Sequence, residues 1–215
     1  MVKSLAMTRL KSTENIGSIV VLEEGEKLKQ KIIFLDIDGV LNGYNFWSVL
    51  GWNIACKLNI KDWYRENTRK PFGIHKEKVR RLAKIVKKTG AKVVMSSSWR
   101  HGWWKTPYEK QWEDQKQLTD LLNKYNIEVI DITGSSPDGR RDKEIKAWIS
   151  KHLDEVYSFV ILDDERFDLE CFVGSRLVQT SSTHKGQMIK GHWHENIGLK
   201  WKHVKKAIFI LGVEY

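Results

Sequence analysis

"KIIFLDIDGVLN", residues 31–42, is an apolar run of strand length that closes on two carboxylates, Asp36 and Asp38, and then on Gly39. A continuous apolar run, rather than an alternating one, marks a strand covered on both faces, as in a parallel sheet. Charge at the end of such a strand lies where doubly wound sheets bind ligands: beyond the carboxyl ends of the strands, near the point at which strand order reverses.

Outward from this stretch, similar runs recur at 92–97 (KVVMSS), 127–132 (IEVIDI), 159–164 (FVILDD) and 177–180 (LVQT). Segments of helical period separate most of them. Val79, Leu82, Ala83 and Val86 form one stripe that stops at Gly90; Leu118, Leu121 and Leu122 form a second; Ile145, Trp148, Ile149 and Leu153 form a third; LKWKHVKKAIFIL, 199–211, closes the chain. Strands alternating with helices predict an α/β fold, a central parallel sheet with helices on both faces. The domain is expected over 31–215, with a small aromatic and basic insertion at about 43–72, behind an extension at 1–30 in which SIVVLEE (18–24) is a candidate extra strand and Met7 an alternative start.

At 215 residues the chain is long enough to bury one full core. Lys plus Arg outnumber Asp plus Glu by 37 to 27, a net +10 that favours polyanionic partners. Two cysteines, Cys56 and Cys171, are too few for a disulfide framework and read as buried thiols of a reducing compartment. No signal-like start and no run of about 18 apolar residues is present, so the expectation is a soluble, cytoplasmic protein with no membrane partner and no obligate protein partner.

Asp163 and Asp164, in "VILDDE", end the fourth run as Asp36 and Asp38 end the first. An isolated Asp-x-Asp is common in loops, and an isolated Asp-Asp is common in turns and caps. Both pairs at strand ends would bring four carboxylates together, and like charges that close require a cation. Oxygen-only ligands suit Mg²⁺, which favours phosphate as a co-ligand.

With these residues in place, the chain resembles the haloacid dehalogenase-like (HAD) phosphohydrolase superfamily. Asp36-Ile37-Asp38-Gly39-Val40-Leu41 matches its first motif, Ser96 in "VVMSSSWR" its second, and Asp163-Asp164 its fourth. "SSSWR", "RRDKEIKAWI", "VILDDE" and the closing helix are similar to the HAD domains of Swiss-army-knife RNA repair proteins and to polynucleotide phosphatases. The resemblance implies a three-layer Rossmann-like fold with a small or absent cap. It implies Asp36 as nucleophile and metal ligand, and Asp38 as acid and base whose backbone carbonyl also binds Mg²⁺. Asp164, supported by Asp163, would complete the metal site. Ser96 would hold a phosphoryl oxygen, and either Arg141 or Lys143 would supply the third motif's cation.

The insertion carries Tyr44, Trp47, Trp52, Trp63 and Tyr64 followed by Arg65, Arg69 and Lys70, the aromatic platforms and cations that single-stranded nucleic acid requires. Gly39, Ser97, Arg100, Trp103 and Trp104 are further substrate-binding candidates, the last three at the site rim; most of the ten tryptophans are expected in the core. The expected substrate is a phosphate monoester, with RNA or DNA ends set against nucleotides or other small phosphates. A noncatalytic nucleic-acid-binding module on the same fold is the contrasting reading. His184, His192 and His194 lack the accompanying ligands of a zinc site and read as an exposed basic loop. Neither cysteine is followed by arginine at phosphatase-loop spacing, and no nucleotide-binding Gly-Lys-(Ser/Thr) loop occurs.

Overall fold

A computed structural model describes residues 29–43, 51, 54–60, 63, 73–180, 188–189, 192–193 and 198–212, of which 188–189 and 192–193 are described by backbone alone. The candidate strand at 18–24, most of the insertion, including Tyr44, Trp47, Trp52, Tyr64, Arg65, Arg69 and Lys70, and the side chains of the three loop histidines lie outside them.

Five parallel strands form the central sheet: β1 (Gln30–Leu35), β2 (Lys92–Met95), β3 (Val129–Ile132), β4 (Val156–Asp163) and β5 (Leu177–Gln179). Their order is β3-β2-β1-β4-β5. From the central β1 the chain therefore builds outward through β2 and β3, then crosses over to lay down β4 and β5, so the reversal of strand order falls between β1 and β4. Strand side chains alternate between the two faces. Ile33 and Leu35 pack on one face with α1 (Lys76–Thr89), α2 (Glu113–Lys124) and α4 (Trp201–Ile210); Ile32 and Phe34 pack on the other with Ile145 and Trp148 of α3 (Arg141–Lys151). This is the expected three-layer α/β arrangement. A two-stranded antiparallel ribbon, Met188–Ile189 with His192–Trp193, stands apart from the sheet. No helix among the described residues is long and apolar enough to cross a membrane.

The strands stop slightly earlier than the sequence runs, but their ladders continue one residue further. The Asp36 N–H donates to Leu162 O (2.9 Å), Ser96 N–H to Leu35 O (2.9 Å) and Thr180 N–H to Asp163 O (2.8 Å). Residues at the strand tips are thus fixed by the sheet itself. α1 ends where its apolar stripe ends, at Gly90 in the left-handed region (φ +69°), whose N–H caps Val86 O.

Near the other end of the chain, Gly198 sits at φ +66°, and a Cβ there would stand 2.7 Å from Val40 O. Only glycine permits this approach. It lets Leu199 N–H donate to Val40 O (2.9 Å) while Arg81 Nη1 donates to Leu199 O (2.7 Å), locking the start of α4 onto the loop after β1.

Two expectations fail. Cys56 and Cys171 are free and exposed rather than buried, because both lie outside the sheet and its covering helices. Of the described tryptophan side chains only Trp148 is buried; Trp63, Trp112 and Trp201 are exposed and Trp99, Trp103 and Trp104 are half-buried, because most of them lie in loops or at helix starts.

His203 lies buried on α4, its Nδ1 accepting from Lys200 N–H (3.0 Å). Burial, reinforced by Lys202, Lys200, Lys206 and Arg81, lowers its pKa to about 4. The unfolded chain therefore takes up a proton here before the folded one does. Stability from this group is intact above about pH 6.5 and is lost as pH falls towards 4, by up to about 3 kcal/mol. Denaturant unfolding across that range should show a loss that His203→Gln removes; identical slopes for both proteins would contradict the assignment.

Candidate active site

At the β1/β4 reversal the carboxylates of Asp36, Asp163 and Asp164 converge, with one oxygen of each within 4.8 Å of the others, all three residues buried. Their positions follow from the sheet. Asp36 follows β1, Asp163 ends the neighbouring β4, and the two strands are in register from Ile32 with Phe159 to Leu35 with Leu162.

Arg141, the first residue of α3, reaches into this cluster. Its Nη1 lies 3.2 Å from Asp36 Oδ1 and bonds Asp163 Oδ2, while its backbone N–H donates to Asp168 Oδ2 (2.7 Å). Lys143, the alternative cation of the sequence pattern, is exposed and pairs with Asp138. Two residues along a helix amount to about 200° of rotation, so the two cations cannot share a face.

Burial holds the Asp36 carboxyl well above the usual range, and the charge on Asp163 adds to this; Arg141 opposes it, Asp164 raises it further, and a hydrogen bond from the Ser97 hydroxyl opposes it again. Burial also raises Asp163, against Arg141 and the Glu165 N–H, which donates to Asp163 Oδ1 (2.8 Å). For Arg141 burial works against the charge, but Asp36 and Asp163 outweigh it and raise its pKa. Among the described residues one cation thus faces three carboxylates, and the site they form is short of positive charge.

Asp38 is half-buried, and its side chain stands outside the cluster. Asn42 Nδ2 donates to its Oδ1 (2.7 Å) and Trp99 Nε1 to its Oδ2 (3.1 Å). Asn42 Oδ1 in turn accepts from Gly39 N–H (2.7 Å), Gly39 O accepts from the Thr180 hydroxyl (2.7 Å), and Asn42 O accepts from Lys78 Nζ (2.8 Å). Gly39 adopts φ +72°, the turn that returns the chain towards Asn42. Burial, then the charge of Arg81, lowers Lys78 to about 8. Trp99, Asn42, Thr180 and Lys78 were not singled out from sequence; Asn42 alone carried a local signal, four residues after Asp38.

Ser96 and Ser97 are fully buried at the tip of β2. Ser97 faces Asp36, whereas Ser96 Oγ has no hydrogen-bond partner among the described residues. A buried hydroxyl without a partner carries a desolvation cost that a bound oxygen would relieve.

Arg100 is not at the rim. It is buried, with Nη2 on both oxygens of Glu144 (3.1 and 3.0 Å) and Nη1 on Ser97 O (3.0 Å). Removing one partner of such a pair costs about 3–5 kcal/mol, so Arg100, with both terminal nitrogens engaged, braces the loop after β2 against α3. Trp103 is half-buried with Nε1 donating to Thr119 Oγ1 (2.9 Å); Trp104 stands beside it, ring centroids 6.1 Å apart, with Lys105 over its ring.

Three hard oxygen donors, held by rigid backbone and short of positive charge, fit Mg²⁺. Asp36, Asp163 and Asp164 would hold it. Mg²⁺ titrated into metal-stripped protein should raise the thermal midpoint by about 5–10 °C at roughly a hundredfold excess over its dissociation constant. Asp164→Asn should lose most of that rise; an equal rise in the variant would contradict the ligand assignment.

The model of a family described as "HAD domain in Swiss Army Knife RNA repair proteins" matches residues 32–185, more than half of the chain. No curated protein and no solved structure matches it.

Proposed function

Because the chain belongs to the HAD domains found in Swiss Army Knife RNA repair proteins, we propose that it is a Mg²⁺-dependent phosphomonoester hydrolase that works through an aspartyl-phosphate and acts on the terminal phosphates of nucleic acids. The observation that carries this reading is the meeting of Asp36, Asp163, Asp164 and Arg141 at the β1/β4 reversal, with Asp38 held beside them. The RNA-repair setting of the family supports the substrate class.

In this reading an Asp36 oxygen attacks phosphorus, the bond to the leaving oxygen breaks, and Asp38 delivers its proton to that oxygen. Asp38, now ionised, takes a proton from water as the water attacks the same phosphorus. The Asp36–phosphorus bond breaks and inorganic phosphate leaves. Bound Mg²⁺ would supply charge neutralisation between the carboxylates and the substrate anion. Arg141 favours the ionised form of Asp36 against burial and the neighbouring carboxylates and holds a phosphoryl oxygen as charge builds; the Ser96 hydroxyl donates to another. Trp99 and Asn42 are positioning residues, since each bonds one oxygen of Asp38.

Phosphate release should be measured from oligonucleotides bearing 3′- or 5′-phosphates and from mononucleotides, with Mg²⁺ or with EDTA. Oligonucleotide ends should be preferred, EDTA should abolish release, and Asp36→Asn should lose at least about 10³-fold in kcat. Trp99→Phe should lower kcat about tenfold at unchanged KM, the signature of a misplaced acid. Full activity in Asp36→Asn would overturn the mechanism, and preference for mononucleotides would overturn the substrate class.

A further inference from the structure

The molecule's positive charge is concentrated on two helices that touch each other. Together α1 and α4 carry ten Lys and Arg against a single acid, Glu77, leaving 27 against 26 over the rest of the chain. Almost the whole net +10 therefore resides on this pair, which packs side by side on one face of the sheet.

Helix stability does not account for all of this charge. Cations late in a helix, such as Lys87 and Lys88, complement its dipole, but cations in the first turn oppose it. Lys76 opens α1, and Lys202 stands in the first turn of α4, which contains no acid. Nor do acids on the two helices account for it: they carry one, Glu77, and it pairs with Arg80.

Both helices begin at the catalytic loop. His75 N–H donates to Leu41 O (3.0 Å), Leu199 N–H to Val40 O (2.9 Å) and Lys78 Nζ to Asn42 O (2.8 Å), so both N-termini flank the loop that carries Asp38. At the join the Arg81 guanidinium lies 5.7 Å from the centre of the Trp201 ring, which remains exposed at 43%. Arg81, Lys84 and Lys88 share a stripe at helical spacing, and Lys205 lies one turn beyond Trp201 on α4; all three lysines are exposed.

We propose that the α1/α4 face is a nucleic-acid-binding surface that carries the phosphodiester backbone of a substrate strand away from the catalytic loop, with Trp201 as a stacking platform at its head. The inference deepens the substrate reading above and rests on it for the identity of the polyanion, but not for any catalytic step. An electrostatic track with an aromatic ring beside it suits a single strand without sequence preference. The helices lie outside the insertion that the sequence singled out for this role.

The test is fluorescence anisotropy with a short single-stranded RNA that lacks terminal phosphates, so that binding is read without turnover. Wild-type affinity should fall at least about tenfold between roughly 50 and 200 mM salt. The triple variant Lys84→Ala, Lys88→Ala, Lys205→Ala should bind at least about tenfold more weakly at low salt. Its log–log salt slope should be shallower by about 2, close to 0.7 for each lost phosphate contact. Replacing the same three residues with Arg should restore both values. An unchanged slope in the alanine variant, no binding by wild type, or tighter binding to phosphatidylserine vesicles than to RNA would overturn the proposal. Absence of phosphate release with this binding intact would count against the catalytic reading alone.

Discussion

Like-charge repulsion in a dry place is the constraint on which the rest of this structure depends. Asp36, Asp163 and Asp164 are brought together at the tips of two adjacent strands, where water screens little and Arg141 compensates in part. Carboxylates free to move would separate. These cannot, because the backbone of Asp36 is tied to β4 and that of Thr180 to Asp163 by continuation of the sheet ladder. The sheet bears an electrostatic cost at the tips of these strands, a cost that a bound cation would relieve.

The surroundings are arranged to hold this geometry. Arg100 and Glu144 join the loop after β2 to α3, the helix that presents Arg141. Asn42 and Trp99 take one oxygen each of Asp38, and Thr180 reaches back from the end of β5 to Gly39 O. The loop after β1 is thus fixed from β2, from β5 and, through Gly198 and Leu199, from the start of α4. Four separate parts of the chain meet at one turn, and the basic helices α1 and α4 both start beside it.

The sheet and its two covering layers were legible in the sequence because apolar runs and 3.6-residue stripes are local signals, and because two such runs ended in carboxylates. The choice between Arg141 and Lys143 was not legible, since it depends on where α3 begins, and helix phase is set by tertiary contacts. Arg100 misled for a similar reason: its partner Glu144 lies 44 residues away, so the sequence showed a cation beside a motif and concealed that the cation was already engaged. Trp99 passed unnoticed within "SSSWR", 61 residues from the Asp38 it bonds. The cysteines and most of the described tryptophans were placed inside by residue-type preference, which fails in loops, where packing rather than hydrophobicity decides exposure.

The central claim is that Asp36 carries the phosphoryl group between substrate and water. It is tested most directly by quenching the enzyme in acid during turnover of a radiolabelled phosphate ester and mapping any label retained on the protein. The account predicts a hydroxylamine-sensitive phosphoryl group on the peptide that contains Asp36, formed and lost at rates compatible with turnover. Label on another residue, or phosphate release at full rate with no labelled enzyme under conditions that preserve acyl phosphates, would contradict it.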